Sequence, residues 1–220
     1  EKMGYNVAID GPAGAGKSTI AKLVAKEKGF VYVDTGAMYR GLAVHFLDRG
    51  LRPEETDKII EACGDAQVTI KYEEGIQQVY LNGTNITARL RDEEVGNMAS
   101  KSSPIPQVRE KLLELQQGLA REQDVIMDGR DIGTCVLPNA DVKVYLTASV
   151  ETRAKRRYDE LVEKGISCSL DEIEKDIKER DERDMTRDTA PLKQAGDAVL
   201  IDSSCMSVKE VVEAILALCR

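Results

Sequence analysis

Residues 9–29, "IDGPAGAGKSTIAKLVAKEKG", set glycines, a lysine and two hydroxyls between an apolar run and an amphipathic stretch. The reading of this joint decides the fold. Tyr5–Ile9 before it has strand character, and Thr19–Lys28 after it carries a helical pattern stopped by Gly29. Between them, Gly11-Pro12-Ala13-Gly14-Ala15-Gly16-Lys17-Ser18 fits the phosphate-binding loop, which needs a strand on one side and a helix on the other. Glycines let the backbone bend around an anion without Cβ obstruction, so that N–H groups and the positive helix end point at phosphate oxygens. A glycine-rich turn beside a surface lysine is the plain alternative.

Working outward, further strand-like runs occur at 30–33, 125–127, 142–146 and 198–201. Helical patterns lie between them: Ala37–Arg49 stopped by Gly50, and Val108–Glu122 with apolar Val108, Leu112, Leu115 and Leu119. Such alternation predicts a parallel sheet covered by helices on both faces. A last helix is expected from Ser207, with Glu210 three places on as a capping box. One stretch breaks the rhythm. Val68–Tyr72, Ile76–Leu81 and Thr84–Thr87 read as an antiparallel insert on the rim of the main sheet, with Asn82-Gly83 as a hairpin turn.

At 220 residues, 42% hydrophobic and 32% charged, the chain suits one compact globular domain. No run approaches a membrane span, and the first residues lack a secretion signal, so the expected compartment is the cytoplasm. Five cysteines, Cys63, Cys135, Cys168, Cys205 and Cys219, form no close pairs and read as reduced thiols, most of them packing as small apolar groups. A net charge of −8 argues against a nucleic-acid partner. Any anion site must then be a local cluster of cations.

Ligands of such sheets bind beyond the carboxyl ends of the strands. Past the second strand comes Asp34-Thr35-Gly36-Ala37-Met38-Tyr39-Arg40, and past the third Asp128-Gly129-Arg130-Asp131-Ile132-Gly133. On the phosphate-loop reading, Lys17 reaches the β- and γ-phosphates of ATP, Ser18 ligates Mg²⁺, and Asp128 is its acidic partner through water. Leu170, Ile173, Ile177, Arg180, Asp184 and Arg187 fall at steps of three or four. They share one helix face that starts apolar, so Arg180, Asp184 and Arg187 are expected to face a cavity where phosphates compensate the guanidinium groups. A solvated charge run is the alternative. Arg153 and Arg157 lie one turn apart on another helix and suit a nucleobase and a phosphate. Lys164-Gly165 would be the hinge of a lid that excludes water.

The loop, "DTGAMYR", "DGRDIGT", "RAKRR" and "KERDERDMTR" occur in the order in which the nucleoside monophosphate kinase family carries them, and together resemble most closely its bacterial cytidylate kinase branch. The resemblance covers nearly the whole chain. It implies an α/β phosphate-loop kinase core of about five parallel strands over residues 1–220, a monophosphate-binding insert at 63–100 and a helical lid at 157–187. It implies transfer of the γ-phosphoryl group of ATP to CMP or dCMP, with Mg²⁺, by a monomer.

By motif, Gly11, Pro12, Ala13, Gly14, Ala15, Gly16, Lys17, Ser18, Thr19, Arg153 and Arg157 would bind ATP. Arg40, Arg130, Arg180 and Arg187 look like the arginines around the acceptor phosphate and the transferring group, with Lys17, Arg130, Arg180 and Arg187 catalytic. Asp184 is similar to the carboxylate that meets the sugar, and Ser100, Arg109 and Asp131 to the residues that read cytosine. Thr35 stands where some relatives have serine. No general-base histidine is needed, and His45 reads as structural. Within the class, UMP or shikimate is the alternative acceptor. A regulatory GTPase lacks support because no Asn-Lys-x-Asp stretch occurs, and a nucleotide-binding module without turnover leaves the inward arginines unexplained.

Overall fold

The computed structural model describes residues 4–220. Its parallel sheet contains β1 (Asn6–Asp10), β2 (Val31–Asp34), β6 (Val125–Gly129), β7 (Val142–Thr147) and β8 (Val199–Asp202), in the order β2-β6-β1-β7-β8. A separate antiparallel sheet holds β3 (Val68–Glu73), β4 (Ile76–Leu81) and β5 (Thr84–Asn85). The fold is thus the expected α/β arrangement with a small antiparallel insert. Two compact units partition the described chain, one over Val31–Val125 and the other joining Tyr5–Phe30 to Ile126–Arg220.

In the second unit β1 is central, between β6 and β7, and every residue of it is buried. Its register with β7 runs from Val7 opposite Val142 to Asp10 opposite Tyr145. Helix α1 (Lys17–Lys28) buries Ile20, Ala21, Val24 and Ala25, an i, i+4 stripe that faces the core. Gly29 ends it at φ 70°, a left-handed cap open to glycine without strain. Helix α8 (Val208–Leu216) packs against α1 and starts with the capping box of Ser207 and Glu210. Helices α6 (Val150–Glu163) and α7 (Leu170–Thr186) pack together. After α6 the N–H of Ile166 bonds the carbonyl of Leu161 and that of Gly165 bonds Val162, so Gly165, at φ 71°, is a helix stop of the Schellman type.

In the first unit, α2 (Thr35–Asp48) buries Met38, Leu42, Ala43 and Phe46, and packs against β4. A Cβ on Gly41 would meet Val79 Cγ1 at 3.0 Å, so the glycine permits that approach. His45 is buried with Nε2 3.0 Å from the Ala62 carbonyl, as its structural reading expects, and burial holds its pKa below the usual value. The insert also finishes the open edge of β2. The Gln77 side-chain oxygen accepts the Asp34 N–H, its amide donates to the Asp34 carbonyl, and Tyr72 Oη donates to the Tyr32 carbonyl. An edge satisfied in this way is closed to pairing with another strand. Both hairpin turns have two residues at positive φ, Glu74-Gly75 at 52° and 76° and Asn82-Gly83 at 48° and 82°, the geometry that matches strand twist.

Several expectations are corrected. The third insert strand stops at Asn85, and Thr87–Arg91 form a 3₁₀ turn, with Thr87 Oγ1 accepting the Val79 N–H. Helices α3 (Thr56–Cys63) and α4 (Glu93–Ser102) lie in stretches left without a helix. The helix from 108 starts at Pro106 and, as α5 (Pro106–Glu122), buries Val108, Leu112, Gln116 and Ala120; Leu115 and Leu119 lie half-buried on the flank. Of the cysteines only Cys63 is buried, while Cys135 and Cys205 are exposed. Among the described residues no helix is long and apolar enough to cross a membrane.

Candidate active site

The phosphate loop begins where β1 ends. A Cβ on Gly11 would lie 1.9 Å from the Leu146 carbonyl oxygen, so only glycine lets the loop leave β1 along β7. Gly14 at φ 74° and Gly16 at φ 85° complete the bend, with Gly16 as the N-cap of α1. The first turn of that helix carries Lys17, buried, and Ser18 and Thr19, exposed. Lys17 Nζ donates to the Pro12 carbonyl at 2.9 Å, which draws the ammonium over its own loop.

The charges around Lys17 define the site. Burial pushes its pKa down from 10.5 to about 7; Arg130 and Arg180 press in the same direction, and Asp128 and Asp10 oppose them. Opposite charges fail to offset desolvation and the neighbouring cations. Burial of the ammonium is the largest of these effects, and an anion bound beside Lys17 would favour its charged form.

The segment after β6 turns back through a π-helical turn, Ile132–Val136, closed by Leu137 N–H to the Ile132 carbonyl at 2.7 Å. Turns of this kind recur at functional sites. Arg130 Nε donates to Asp184 Oδ2 at 2.9 Å, which ties the turn to α7. Asp131 is buried, with Arg187 Nη2 3.9 Å from its carboxylate.

The shared stripe on α7 is only partly as expected. Ile177, Asp181 and Asp184 are buried, but Leu170 is 38% exposed, because the N-terminal turns of α7 extend beyond the packed region. Arg187 lies past the helix end in extended backbone, where its Nε and Nη2 donate to the Ala190 carbonyl at 3.0 and 2.7 Å. It reaches Asp131 from this turn and not from the helical face.

Arg153 and Arg157 differ in kind. Arg153 is buried and bidentate with Asp181, at 3.0 and 2.6 Å, and it donates to the carbonyls of Ala148 and of Ala13 in the phosphate loop. Its guanidinium joins α6, α7 and the backbone of the phosphate loop. Arg157 is exposed beside Glu160, and of the two it is the one open to a base.

The first unit gathers the remaining expected residues. Thr35 is buried at the start of α2, where Asp34 caps the helix by accepting the Ala37 N–H at 3.0 Å. Arg40, half-buried, follows on the same helix. Arg109 on α5 donates to the Ser103 carbonyl at 3.3 Å, and Ser103 in turn donates to the Ser100 carbonyl at the end of α4. The Arg109 guanidinium lies 5.4 Å from the centre of the Tyr39 ring. Thus α2, α4 and α5 set Ser100, Arg109 and Tyr39 in one group.

Two residues of these groups escaped the sequence reading. Asp10 is an acid at the carboxyl end of a strand, the same signal that drew attention to Asp34 and Asp128. Tyr39 stands inside a quoted motif next to Arg40, where the charge alone was weighed.

A magnesium ion fits the donor set. The Ser18 hydroxyl and the Asp128 carboxylate are hard oxygens, and Asp128 bears on Lys17, the neighbour of Ser18. Among the described residues no group of three or more His, Cys, Asp or Glu could form a metal cage. Magnesium at phosphate sites takes one or two protein oxygens and fills its shell with water and phosphate.

A family model described as cytidylate kinase matches residues 7–220. A cytidylate kinase of Caldicellulosiruptor bescii is 49% identical over 213 residues, which cover 97% of this chain and 94% of that one. A cytidylate kinase of Streptococcus pneumoniae strain 70585 is 47% identical over 212 residues, 96% and 95% of the two chains. Among solved structures, an uncharacterized protein from Eubacterium ventriosum shares the fold at 15% identity, with a TM-score of 0.50 over 97% of this chain and 96% of that one.

Proposed function

The chain belongs to the cytidylate kinase family, and from that membership we infer how its residues divide the work of phosphoryl transfer. It is a nucleoside monophosphate kinase that transfers the γ-phosphoryl group of ATP to CMP or dCMP, releasing ADP and CDP or dCDP. The observation that carries the site assignment is the buried Lys17 at the end of the glycine loop, its pKa pushed down by burial and by Arg130 and Arg180. Such a group of cations suits a polyanion.

The acceptor is already a phosphate oxygen and needs no general base. Catalysis is then positioning and the neutralisation of charge on the transferring group. Backbone N–H groups of residues 13–19 and the positive end of α1 cradle the donor phosphates. Lys17 spans the β- and γ-phosphates. Arg40, Arg130, Arg180 and Arg187 surround the acceptor phosphate and the transferring group, with Arg130, Arg180 and Arg187 catalytic beside Lys17, and Asp184, which accepts from Arg130, meets the sugar. Ser18 and, through water, Asp128 would hold Mg²⁺. When bound, that ion neutralises phosphate charge and fixes the phosphate geometry. Residues 157–187, from the second half of α6 through α7, form the lid, and residues 63–100 belong to the acceptor-binding region. The five unpaired cysteines suit a reducing compartment, so the proposed setting is the cytoplasm, with the monomer as working unit and no nucleic-acid partner.

A coupled assay of ADP release tests the reading at once. ADP formation that rises on adding CMP supports it, whereas ATP hydrolysis indifferent to CMP favours a nucleotide-binding module.

Base choice rests on Asp131. Cytosine offers an amino donor where uracil offers a carbonyl. A carboxylate accepts from the first and faces the second with like polarity, and sites that leave a buried polar group unpaired discriminate by up to ~10⁴-fold. Asp131→Asn keeps the shape and can turn its NH₂ toward uracil. The expected result is a fall of about 10-fold or more in the ratio of kcat/KM for CMP over UMP, about 1.4 kcal/mol. An equal loss for both substrates would move base reading to Ser100 and Arg109.

Tyr39 holds Arg109 by its ring face, an interaction worth about 0.5–1 kcal/mol at a partly exposed site. Tyr39→Leu is therefore expected to raise KM for CMP about threefold and to change kcat less. Steady-state kinetics with varied CMP at saturating ATP gives both constants, and an unchanged KM would remove Tyr39 from the acceptor group.

A further inference from the structure

Asp10 is buried at the last position of β1, and the transfer chemistry above leaves it without a task. Its two carboxylate oxygens are both in use. Oδ1 accepts the N–H of Ile132 and Oδ2 the N–H of Gly133, each at 2.8 Å. These amides open the π-helical turn, and Arg130 and Asp131 immediately precede them. On its other side Asp10 is followed by Gly11, which the Leu146 carbonyl confines. Gly133 is hemmed in as well. A Cβ there would come within 3.1 Å of the Lys143 side chain and 3.4 Å of Asp10 Oδ2, so the turn sits tightly on the carboxylate.

We propose that Asp10 is a positioning residue of the transfer site: its carboxylate clasps the amides of Ile132 and Gly133 and thereby fixes the Arg130–Asp131 segment to the start of the phosphate loop. The inference deepens the phosphoryl-transfer reading and rests on it. A carboxylate is needed because two converging N–H groups require two acceptors, and asparagine supplies one.

The charges that face Asp10 are Lys17 from α1, Asp131 from the turn and, from β7, Tyr145 and the buried Lys143, whose ammonium is engaged by Asp197 and the Pro138 carbonyl. Burial outweighs the two hydrogen bonds, and Asp131 adds to it, so the Asp10 pKa is raised from 3.8 to about 6. The sign follows from proton counting. Between these two values the folded state binds more protons than the unfolded one, so stability falls as pH rises through the window. Above it the ionised carboxylate is retained at a net loss of stability.

The test is Asp10→Asn in the full chain, which mimics the protonated form and opposes an NH₂ to one backbone N–H. At pH 7.5 kcat is expected to fall by about 10-fold or more, since small displacements of positioning groups cost rate steeply. KM for ATP and CMP should change less than kcat, with the melting temperature kept within a few degrees of that of the unsubstituted protein. The ratio of the two kcat values cancels the titration of the substrates. The gap should narrow about fourfold from pH 7.5 to 5.5, as the unsubstituted protein loses its own carboxylate with a pKa near 6.

Unchanged kcat, a gap that is flat with pH, or a loss of activity that follows a collapse of the melting temperature would each overturn the positioning role. The unsubstituted arm separates the two readings. If it is active with CMP and the gap is flat, the inference about Asp10 falls alone; if it makes no CMP-dependent ADP, the transfer reading falls and the inference with it.

Discussion

Alanine at Arg180 is expected to lower kcat on the order of 10³-fold, the range found when an arginine that stabilises the charge of a transferring phosphoryl group is lost. The structure gives this residue its weight in two ways. It sits on α7 one turn before the buried Asp184, half-buried itself, and its charge adds to burial and Arg130 in lowering the pKa of Lys17. A cation held against another cation is unfavourable until an anion lies between them, so the benefit of Arg180 is realised when the phosphates are in place. Alanine is a good helix former, and α7 should persist. The matched control is Lys178→Ala on the same helix, where the ammonium is exposed beside Glu174 at 2.7 Å. There kcat should stay within about twofold, since an exposed i,i+4 pair contributes little. Arg183 makes a poorer control because it is half-buried. Losses of similar size at Lys178 and Arg180 would mean that α7 carries a solvated charge run.

Removing Lys17 is the second large effect. Lys17→Ala is expected to cut kcat by at least ~10²-fold, in line with the loss of a donor aimed at transition-state charge. Stability should not follow activity. With a pKa lowered from 10.5 to about 7, the folded state binds fewer protons than the unfolded state between those values, so the lysine's contribution to stability rises with pH across the window. Below about pH 7 its charged form opposes folding in full. The nucleotide-free variant should accordingly melt within a few degrees of the unsubstituted protein at neutral pH, and compare best at lower pH. Thermal melts at pH 6.5 and 9.5 beside the kinetic assay give both readouts. Near-normal turnover would remove the glycine loop from the transfer site.

The main sheet was legible because each strand is a short apolar run next to a punctuating glycine, proline or acid, and the buried stripe of α1 follows directly from its periodicity. Gly29, Gly50 and Gly165 each mark a helix end by adopting positive φ, at 70°, 69° and 71°. Helices α3 and α4 escaped for the opposite reason. Both are short, α4 carries Gly96 within it, and their stability comes from packing that local propensity does not register.

The site divides along similar lines. Lys17, Arg130 and Asp131 follow in the sequence from a glycine loop and a strand end, and Asp184 from helical spacing, which brings it to the buried face of α7. The pairing of Arg153 with Asp181 is not legible, because a charge on a helix does not announce its partner and Asp181, which fills the guanidinium fork, lies 28 residues on. Arg187 was assigned to a helical face by spacing, although the helix ends at Thr186; its link to Asp131 comes from a turn. Asp10 was overlooked because its partners are backbone amides 122 and 123 positions away, which carry no signal in residue type.

Phosphorylation of CMP or dCMP is the activity on which every residue role above depends. Its most direct test is kcat/KM for CMP, dCMP, UMP and shikimate in one magnesium-ATP buffer, with ADP release as the common readout. CMP or dCMP is expected to lead and UMP to trail well behind, with no stimulation of ADP release by shikimate. A lead by UMP or shikimate, or ADP release indifferent to every acceptor, would contradict that activity.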